Sequence, residues 1–129
     1  MTATAWTEQD LAEIDRQDEL DVAPRRPDGS LAKPRIVWAV RVDDAVYVRS
    51  VNGAEGAWYR TTRASHEGHV TIGSVDRDVA FVDVDDAGDG LDDRIDDAYR
   101  AKYARYRGPV ASITAAKARA TTLRLTPLG

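Results

Sequence analysis

The sequence contains no cysteine, and this absence is the strongest restriction that composition places on its function. Without cysteine the chain can form no disulfide, no thiolate nucleophile, and no cysteine-ligated zinc or iron–sulfur site. Histidine is almost as scarce, with two residues among 129. The side chains left for acid–base chemistry are therefore mainly Asp, Glu, Tyr and Lys.

Positive charge and long apolar runs are also in short supply. Lysine and arginine number 18 against 22 aspartate and glutamate residues, and the formal net charge of −4 disfavours nucleic-acid binding. No run approaches the roughly 18 apolar residues of a membrane-spanning helix. The opening residues MTATAWTEQD lack a basic region followed by an apolar run, so we expect no secretory signal. We therefore expect the protein to be a single cytoplasmic domain over residues 1–129 that has no membrane partner.

Two segments carry helix signals. Asp10 follows Thr7 by three residues, a variant of the capping box, and apolar periodicity predicts a helix that ends near Asp18. The second helix is predicted over Leu91–Tyr106, because its aspartates lie near the N-terminus and its arginines near the C-terminus, where the helix dipole favours them. Gly108-Pro109 is predicted to end it.

Alternating apolar residues predict strands over most of the remaining chain. The predicted strands are Leu20–Ala23, Ile36–Val42, Val46–Ser50, Trp58–Thr62, His69–Val75, Asp78–Val84 and Thr121–Leu128. The segment Pro24–Pro34 is rich in proline and predicts a connector, and Asp76-Arg77 is predicted to join two strands. Short connections between successive strands predict an antiparallel meander in a barrel or sandwich.

The register of the hairpin formed by Ile36–Val42 and Val46–Ser50 depends on its loop. A two-residue turn at Asp43-Asp44 would pair Val40 with Tyr47, whereas a three-residue loop would pair Val40 with Val48. We predict the three-residue loop, because it gathers the aliphatic side chains on one face. The other face would then carry Ala39, Arg41, Tyr47 and Arg49.

The arginine, tyrosine and tryptophan side chains around residues 47–60 are the best candidates for a site. Arginine binds phosphate or carboxylate through paired hydrogen bonds, and flat aromatic rings stack on ligand rings. We predict a pocket for a small planar anionic molecule that is held by Arg41, Arg49, Trp58, Tyr59, Arg60 and Lys102. The predicted catalytic residues are Tyr47, Arg49 and Tyr99. The alternative is that these arginines only pair with surface carboxylates.

Two polar segments resemble ion sites but do not fit them. An EF-hand loop that started at Asp83 would place Ala87 at position 5 and Arg94 at position 12, where oxygen ligands are required. We interpret the acidic residues 85–90 as a solvated loop. Residues 65–69, SHEGH, hold both histidines and are predicted to form a surface turn. No metal site is predicted.

Several segments together resemble the bacterial family known as domain of unknown function 2255. They are DELDVA, RRPDGSLAKPRIVWAVRVDDAVYVRS, GAWYR, IDDAYRAKYARY and ATTLRL, and the resemblance runs from about Asp18 to Pro127. In outline this family is similar to split β-barrel proteins that bind flavin mononucleotide or deazaflavin, including the deazaflavin-dependent nitroreductases. The resemblance implies an α+β fold, a mainly antiparallel split β-barrel with one N-terminal helix and one in the C-terminal half.

The same resemblance implies a function, and the residues leave alternatives open. By analogy the protein would be a homodimeric oxidoreductase that transfers hydride with flavin mononucleotide (FMN) or deazaflavin as cofactor. A second hypothesis is a cofactor-independent isomerase, cyclase or lyase of bacterial specialised metabolism. A third is a non-catalytic binding module.

Overall fold

The structure is a computed structural model that describes residues 5–84 and 90–128. The helices are α1 (Glu8–Arg16), α2 (Ala57–Ser65), α3 (Leu91–Lys102), α4 (Arg107–Ile113) and α5 (Ala116–Arg119). The strands are β1 (Leu20–Pro24), β2 (Arg35–Val37), β3 (Ala39–Val42), β4 (Ala45–Val48), β5 (Glu67–Ile72), β6 (Val75–Asp83) and β7 (Leu123–Pro127). Residues 85–89, most of the acidic loop, lie outside the described residues.

The seven strands form one antiparallel sheet in the order β2-β1-β5-β6-β7-β4-β3. The two strands at the ends of this order, β2 and β3, are consecutive in the chain, and only Trp38 separates them. The sheet therefore curls until its edges meet at Trp38 and nearly closes into a barrel. The α+β split barrel is confirmed, but the simple meander is wrong, because β7 lies between β6 and β4.

Helix α1 begins as its sequence predicts. The Thr7 hydroxyl accepts a hydrogen bond from the Asp10 backbone at 3.0 Å, and the Asp10 carboxylate accepts one from the Thr7 backbone at 3.2 Å. These two bonds form a capping box and satisfy backbone donors that the helix leaves free. Leu11 and Ile14 are buried on the side that faces the barrel.

The predicted hairpin register is wrong. Asp43-Asp44 forms a two-residue turn, with Asp43 at a φ of 54°, and Val40 pairs with Tyr47 rather than with Val48. The reason is that both faces of β3 and β4 are buried, so gathering the aliphatic residues on one face gives no advantage. Val48 points into the barrel interior, whereas Val40 and Tyr47 pack in a second cluster with α3.

The segment predicted as strand Trp58–Thr62 is helix α2. Gly56 caps its start in an extended conformation, and His66 ends it with a φ of 58°. Tyr59 and Thr62, three residues apart, form its buried face. Over only five residues a period of two cannot be told from a helical period, so the sequence of Trp58–Thr62 did not identify the helix.

The end of the second predicted helix is also wrong. Helix α3 stops at Lys102, and Gly108-Pro109 lie inside the first turn of α4 rather than after a helix end. Proline is tolerated there because the first backbone N–H groups of a helix have no partner within the helix. The described residues thus hold three helices beyond the two predicted, namely α2, α4 and α5.

Strands β5 and β6 form a long hairpin with a different turn from the predicted one. The turn lies at Gly73-Ser74, where Gly73 has a φ of 55°, and Asp76 and Arg77 belong to β6. The predicted turn within SHEGH is wrong as well, because Gly68 lies inside β5. A β-carbon at Gly68 would approach the Ala23 carbonyl oxygen to 2.7 Å, so glycine permits the close packing there.

Buried side chains form two clusters. The interior cluster fills the barrel and includes Leu20, Val22, Val46, Val48, Val70, Ile72, Val79, Phe81, Leu123 and Leu125. The helix-layer cluster lies between the sheet and α3 and consists of Val40, Tyr47, Ile95, Tyr99, Tyr103 and Ile113. The interior cluster is mainly aliphatic, whereas half of the helix-layer residues are tyrosines.

Candidate functional site

A cavity of about 160 Å³ opens where the barrel stays unpaired between β2 and β3, and we call it the seam cleft. One wall is β2 with Trp38, and the other is the chain after β4 together with the start of α2. Its lining consists of Ile36, Val37, Trp38, Arg49, Val51, Trp58, Pro109 and Ile113. Seven of these eight residues are apolar, which is the composition of ligand pockets in general.

The rim of the seam cleft exposes apolar surface. Ile36 is 60% exposed and Val51 is 45% exposed, although both are aliphatic. Each belongs to the small set of exposed large hydrophobic residues among those that the structure describes. Exposed apolar side chains around a concave apolar cavity are typical of a binding surface.

Arg49 lies at the base of the seam cleft, and its side chain is 0% exposed. Its Nε donates to the Thr122 hydroxyl at 2.9 Å, and one terminal nitrogen donates to the Asp96 carboxylate and to the Ile113 carbonyl. The other terminal nitrogen donates to the carboxylate and the carbonyl of Asp92, both at 3.2 Å. All five N–H donors of the guanidinium therefore have acceptors within the protein.

The charge of Arg49 is neutralised by the first two turns of α3. Asp92 and Asp96 both pair with Arg49, and Arg119 lies 3.5 Å from the second oxygen of Asp96. Arg119 also pairs with Asp93 at 3.0 Å. A ligand phosphate would have to displace these carboxylates, so the geometry favours the structural alternative for Arg49.

Two buried tyrosines anchor the strand edge at Trp38. The Tyr99 hydroxyl donates to the Trp38 carbonyl at 2.7 Å, and the Tyr103 ring stacks on the Trp38 indole with centroids 4.0 Å apart. The Tyr103 hydroxyl donates to the Asp18 carbonyl at 2.7 Å. Burial raises the pKa of both hydroxyls well above the usual value for tyrosine. Neither hydroxyl is placed to give a proton to a ligand at neutral pH.

A second cavity, which we call the charged groove, lies on the α1 side of β3. It measures about 530 Å³, and its polar lining includes Asp15, Asp18, Arg41, Lys102 and Arg105. The Lys102 amine donates to the carbonyls of Ile14 at 2.6 Å and Ala39 at 2.7 Å. Burial lowers the pKa of Lys102 to about 8, and the nearby carboxylates of Asp15 and Asp18 offset only part of this effect.

His69 lies on the outer surface of the hairpin formed by β5 and β6. Its Nδ1 contacts the Asp78 carboxylate at 2.8 Å, and its Nε2 contacts that of Asp76. Hydrogen bonding to Asp78 is the main cause that raises the pKa of His69. Both ring nitrogens are therefore engaged. Over residues 5–84 and 90–128, no group of three or more His, Cys, Asp or Glu side chains is arranged to hold a metal.

A family model described as "Uncharacterized protein conserved in bacteria (DUF2255)" matches residues 10–125. The chain belongs to this family. No curated protein matches the sequence. Within the described ranges, no helix of this DUF2255 member is both long and apolar enough to cross a membrane.

Two solved structures share the fold of this DUF2255 member. HutZ, the heme storage protein from Vibrio cholerae, aligns with a TM-score of 0.63 at 9% identity, over 95% of this chain and 90% of its own. The conserved hypothetical protein Rv2991 from Mycobacterium tuberculosis aligns with a TM-score of 0.57 at 12% identity, over 100% of this chain and 84% of its own. At such low identity, the likeness supports the fold and not a shared activity.

The structure does not bring the predicted site residues of the DUF2255 chain into one pocket. Only Arg49 and Trp58 share the seam cleft. Arg41 and Lys102 line the charged groove, and Arg60 lines a shallow depression beside Arg26.

Three of the predicted site residues are buried among other side chains rather than lining the seam cleft or the charged groove. Tyr59 meets the Trp58 ring edge-on in the interior cluster, while Tyr47 and Tyr99 are buried in the helix layer. The ligand and catalytic roles assigned to all these residues remain predictions.

Sequence reasoning missed Trp38, the residue on which the seam cleft depends. It interprets Ile36–Val42 as one continuous strand, whereas Trp38 is the point at which the chain passes from one sheet edge to the other. The sequence does contain one feature that distinguishes this segment from an ordinary strand. The run Ile36–Val40 has five consecutive apolar residues, which indicates burial on both faces rather than an ordinary half-exposed strand.

Proposed function

We propose that this protein binds a small molecule by inserting a flat, mainly apolar ring into the seam cleft between Trp38 and Trp58. The observation that carries the proposal is the apolar lining together with the exposed apolar rim at Ile36 and Val51. Leaving such side chains in water costs free energy that a bound ring would recover, at roughly 25 cal/mol per Å² of buried apolar surface.

The chemistry of the seam cleft supports binding more than acid–base catalysis. Among the described lining residues, Arg49 is the only ionisable side chain, and its donors are occupied. A cofactor-independent isomerase, cyclase or lyase needs a proton donor and acceptor within reach of the substrate. The cavity provides neither, so any reaction would depend on a group that the ligand itself supplies.

The size of the cleft tests the flavin, deazaflavin and heme hypotheses. A cavity of about 150 Å³ holds one benzene ring, whereas sites for drug-sized ligands measure about 300–1,000 Å³. At about 160 Å³, the seam cleft does not fit a complete three-ring cofactor, and Arg49 has no free donor for its phosphate. The oxidoreductase version of the proposal therefore requires that most of the cofactor lies outside the cleft.

The predicted homodimer belongs to the same proposal. A second chain placed over Ile36 and Val51 would cover the exposed rim and enlarge the enclosed volume, so that a larger ring could be held. Sedimentation velocity with and without ligand measures this directly. A monomer in both conditions would remove the dimer from the proposal while leaving the single-ring site intact.

Calorimetric titration tests the binding proposal, with phenol and indole as single-ring and two-ring probes and FMN, deazaflavin and hemin as large ones. We expect binding of the small neutral probes that weakens about five- to ten-fold in Ile36→Ser, because about 1 kcal/mol of apolar contact is lost. Leu31→Ser is the matched control, since Leu31 is 41% exposed and lies outside the cleft lining.

The outcomes separate the hypotheses. Retention of FMN or deazaflavin after gel filtration, together with loss of that retention in Ile36→Ser, would favour the oxidoreductase version. Equal weakening in the Ile36 and Leu31 variants would mean that the seam cleft is not the site. Binding of no probe by the wild-type chain would contradict the proposal itself.

A further inference from the structure

The charged groove is a second cavity whose chemistry differs from that of the seam cleft. The two cavities share no lining residue. At about 530 Å³, the groove lies within the size range of small-molecule sites, and its lining includes one lysine and three arginines, Arg16, Arg41 and Arg105. Its function is therefore independent of the ligand proposed for the seam cleft.

The Lys102 amine donates to two backbone carbonyls, and its Nζ also lies 5.0 Å from the centroid of the Tyr103 ring. Its two acceptors, the carbonyls of Ile14 and Ala39, lie at 2.6 and 2.7 Å. A neutral amine has two N–H groups, so these two acceptors use both of them, and the lone pair occupies the remaining direction. The same two bonds hold the amine in place beside the groove that Lys102 lines.

The surroundings of Lys102 also favour its neutral form. Burial lowers its pKa to about 8, whereas an ordinary lysine has a pKa near 10.5. The charged groups around the groove are Asp15 and Arg16 on α1, Asp18 after α1, Arg41 on β3 and Arg105 after α3. A lysine that is neutral in a larger fraction of molecules is a stronger nucleophile near neutral pH.

Two arginines in the groove are available to hold an anionic group. Arg41 pairs with Asp15 at 3.2 Å and Arg105 pairs with Asp18, and both pairs are partly exposed. Solvent-exposed ion pairs contribute little to stability, so a ligand carboxylate can replace a protein carboxylate at small cost. Arg49 differs in this respect, because its carboxylate partners are buried.

We infer that Lys102 is the reactive amine of a second ligand site, which takes a small carbonyl compound bearing a carboxylate, of the 2-oxo acid class. The amine nitrogen bonds to the carbonyl carbon, and the carbonyl oxygen leaves as water with the two amine protons. A C=N bond remains, and nothing is oxidised or reduced. Arg41 and Arg105 bind the carboxylate.

The backbone around Lys102 tolerates this reaction. The imine nitrogen formed in this way takes up one proton from solvent, and the resulting N–H donates to the Ile14 carbonyl. The Ala39 carbonyl retains a second donor, because the Tyr103 hydroxyl lies 3.2 Å from it. Formation of the imine therefore leaves neither carbonyl without a hydrogen bond, and an unsatisfied buried carbonyl would be destabilising.

Reductive trapping on the wild-type chain tests the inference with two built-in comparators. The chain has three lysines, and both Lys33 and Lys117 are exposed. The protein is treated with glyoxylate and cyanoborohydride, and the rate of modification at each lysine is measured by peptide mass spectrometry. At pH 8 we expect Lys102 to react at least about ten-fold faster, because one pKa unit changes the neutral fraction about ten-fold.

The pH profile adds an independent readout. Between pH 8 and 10 the rate at Lys102 should level off, whereas an amine with the ordinary lysine pKa reacts about ten-fold faster with each pH unit. Equal or slower modification of Lys102 relative to the exposed lysines would overturn the inference.

Formaldehyde, a neutral carbonyl compound, tests the anion-binding part. We expect Arg41→Gln to lower the rate of Lys102 with glyoxylate several-fold and to leave its rate with formaldehyde unchanged. Unchanged rates with both reagents would show that Arg41 holds no anion. Equal losses with both would show that the substitution disturbs Lys102 itself, and the assignment of Arg41 would again be wrong.

Discussion

Strands β3 and β4 are buried on both faces, and the two faces differ in how their side chains are held. Toward the barrel interior, Val46 and Val48 pack against other apolar side chains. Toward α3, Tyr47 lies in a layer that also contains the hydrogen-bonded hydroxyls of Tyr99 and Tyr103. The fully buried Arg49 belongs to the same side, because its partners lie on α3.

This difference separates two kinds of stabilisation. Apolar contacts in the interior are non-directional, so side chains of similar volume can replace one another. Hydrogen bonds and ion pairs in the helix layer are directional, and a missing partner leaves a buried polar group unsatisfied. Both candidate cavities border the helix layer, since Arg49 lines the seam cleft and Lys102 lines the charged groove.

The largest effect is expected from Arg49→Ala, which leaves Asp92 without its cation and Asp96 with Arg119 alone. Removal of one partner from a buried ion pair lowers the free energy of unfolding by about 3–5 kcal/mol, which urea denaturation measures. Arg49→Lys should recover little of it, because lysine lacks the five-donor planar group. Arg60→Ala is the control, since Arg60 is exposed, and its change should stay within about 0.5 kcal/mol. A small loss in both alanine variants would contradict the structural role of Arg49.

Leu125→Ala probes the interior by the same measurement. Leu125 is 1% exposed on β7, beside Val46 and Phe81, and its truncation should cost about 3 kcal/mol. Leu125→Met should recover most of this loss, because its volume is similar and the contact has no required direction. If Leu125→Met recovered no larger share of the lost free energy of unfolding than Arg49→Lys recovers, the proposed contrast between the two faces would be wrong.

Sequence reasoning predicted the interior better than the helix layer, for a physical reason. Helix α1 and the closing strand β7 are strongly periodic, with polar residues on the outer side, so their patterns identify them. Strands β3 and β4 face apolar or aromatic neighbours on both sides, so the pattern does not fix their register. The segment now seen as α2 was too short to distinguish a period of two from a helical period.

The candidate sites were predicted only in part, because proximity in space depends on register and on helix ends. Arg49 and Trp58 both line the seam cleft, although Trp58 lies on a helix rather than on the predicted neighbouring strand, and their binding roles remain predictions. Arg41 and Lys102 were grouped with them, but the altered hairpin register and the groove beside α1 separate them from Arg49. Pairing of Arg49 with carboxylates was the stated alternative, but the carboxylates themselves could not be named, because they lie 43 and 47 residues away in the sequence.

Tyr99→Phe tests a single directional bond in the helix layer. The Tyr99 hydroxyl donates to the Trp38 carbonyl at 2.7 Å, and its loss should lower the free energy of unfolding by about 1–2 kcal/mol. Tyr106→Phe is the matched control. Tyr106 is 36% exposed, and its hydroxyl lies 3.3 Å from the Asp18 carboxylate, so its change should stay below about 0.5 kcal/mol. Equal effects of the two substitutions would show that burial does not decide the strength of these bonds.

The smallest effect is expected outside both layers, at His69 on the outer surface of β5 and β6. The Asp78 carboxylate is the main cause that raises the pKa of His69 in the folded protein, and Asp76 also raises it. Above the ordinary pKa of about 6.5, the folded state therefore binds more protons than the unfolded state. The contribution to stability is complete below that pH and is lost as the pH rises through the folded pKa.

Asp78→Asn should lower the pKa of His69, which an NMR titration of its imidazole measures, and should weaken the decline in stability with rising pH. Arg25 lies 3.8 Å from Asp78, and Asp76 contacts the other ring nitrogen. Both charges are present in the wild-type chain and in Asp78→Asn, so they do not cause a difference in the pKa of His69 between the two. The His69 side chain is 29% exposed and its Asp78 partner 39%, and a partly solvated pair in such a position should matter far less than the fully buried Arg49 does. An unchanged pKa in Asp78→Asn would show that solvent, rather than the cross-strand pair, governs this histidine.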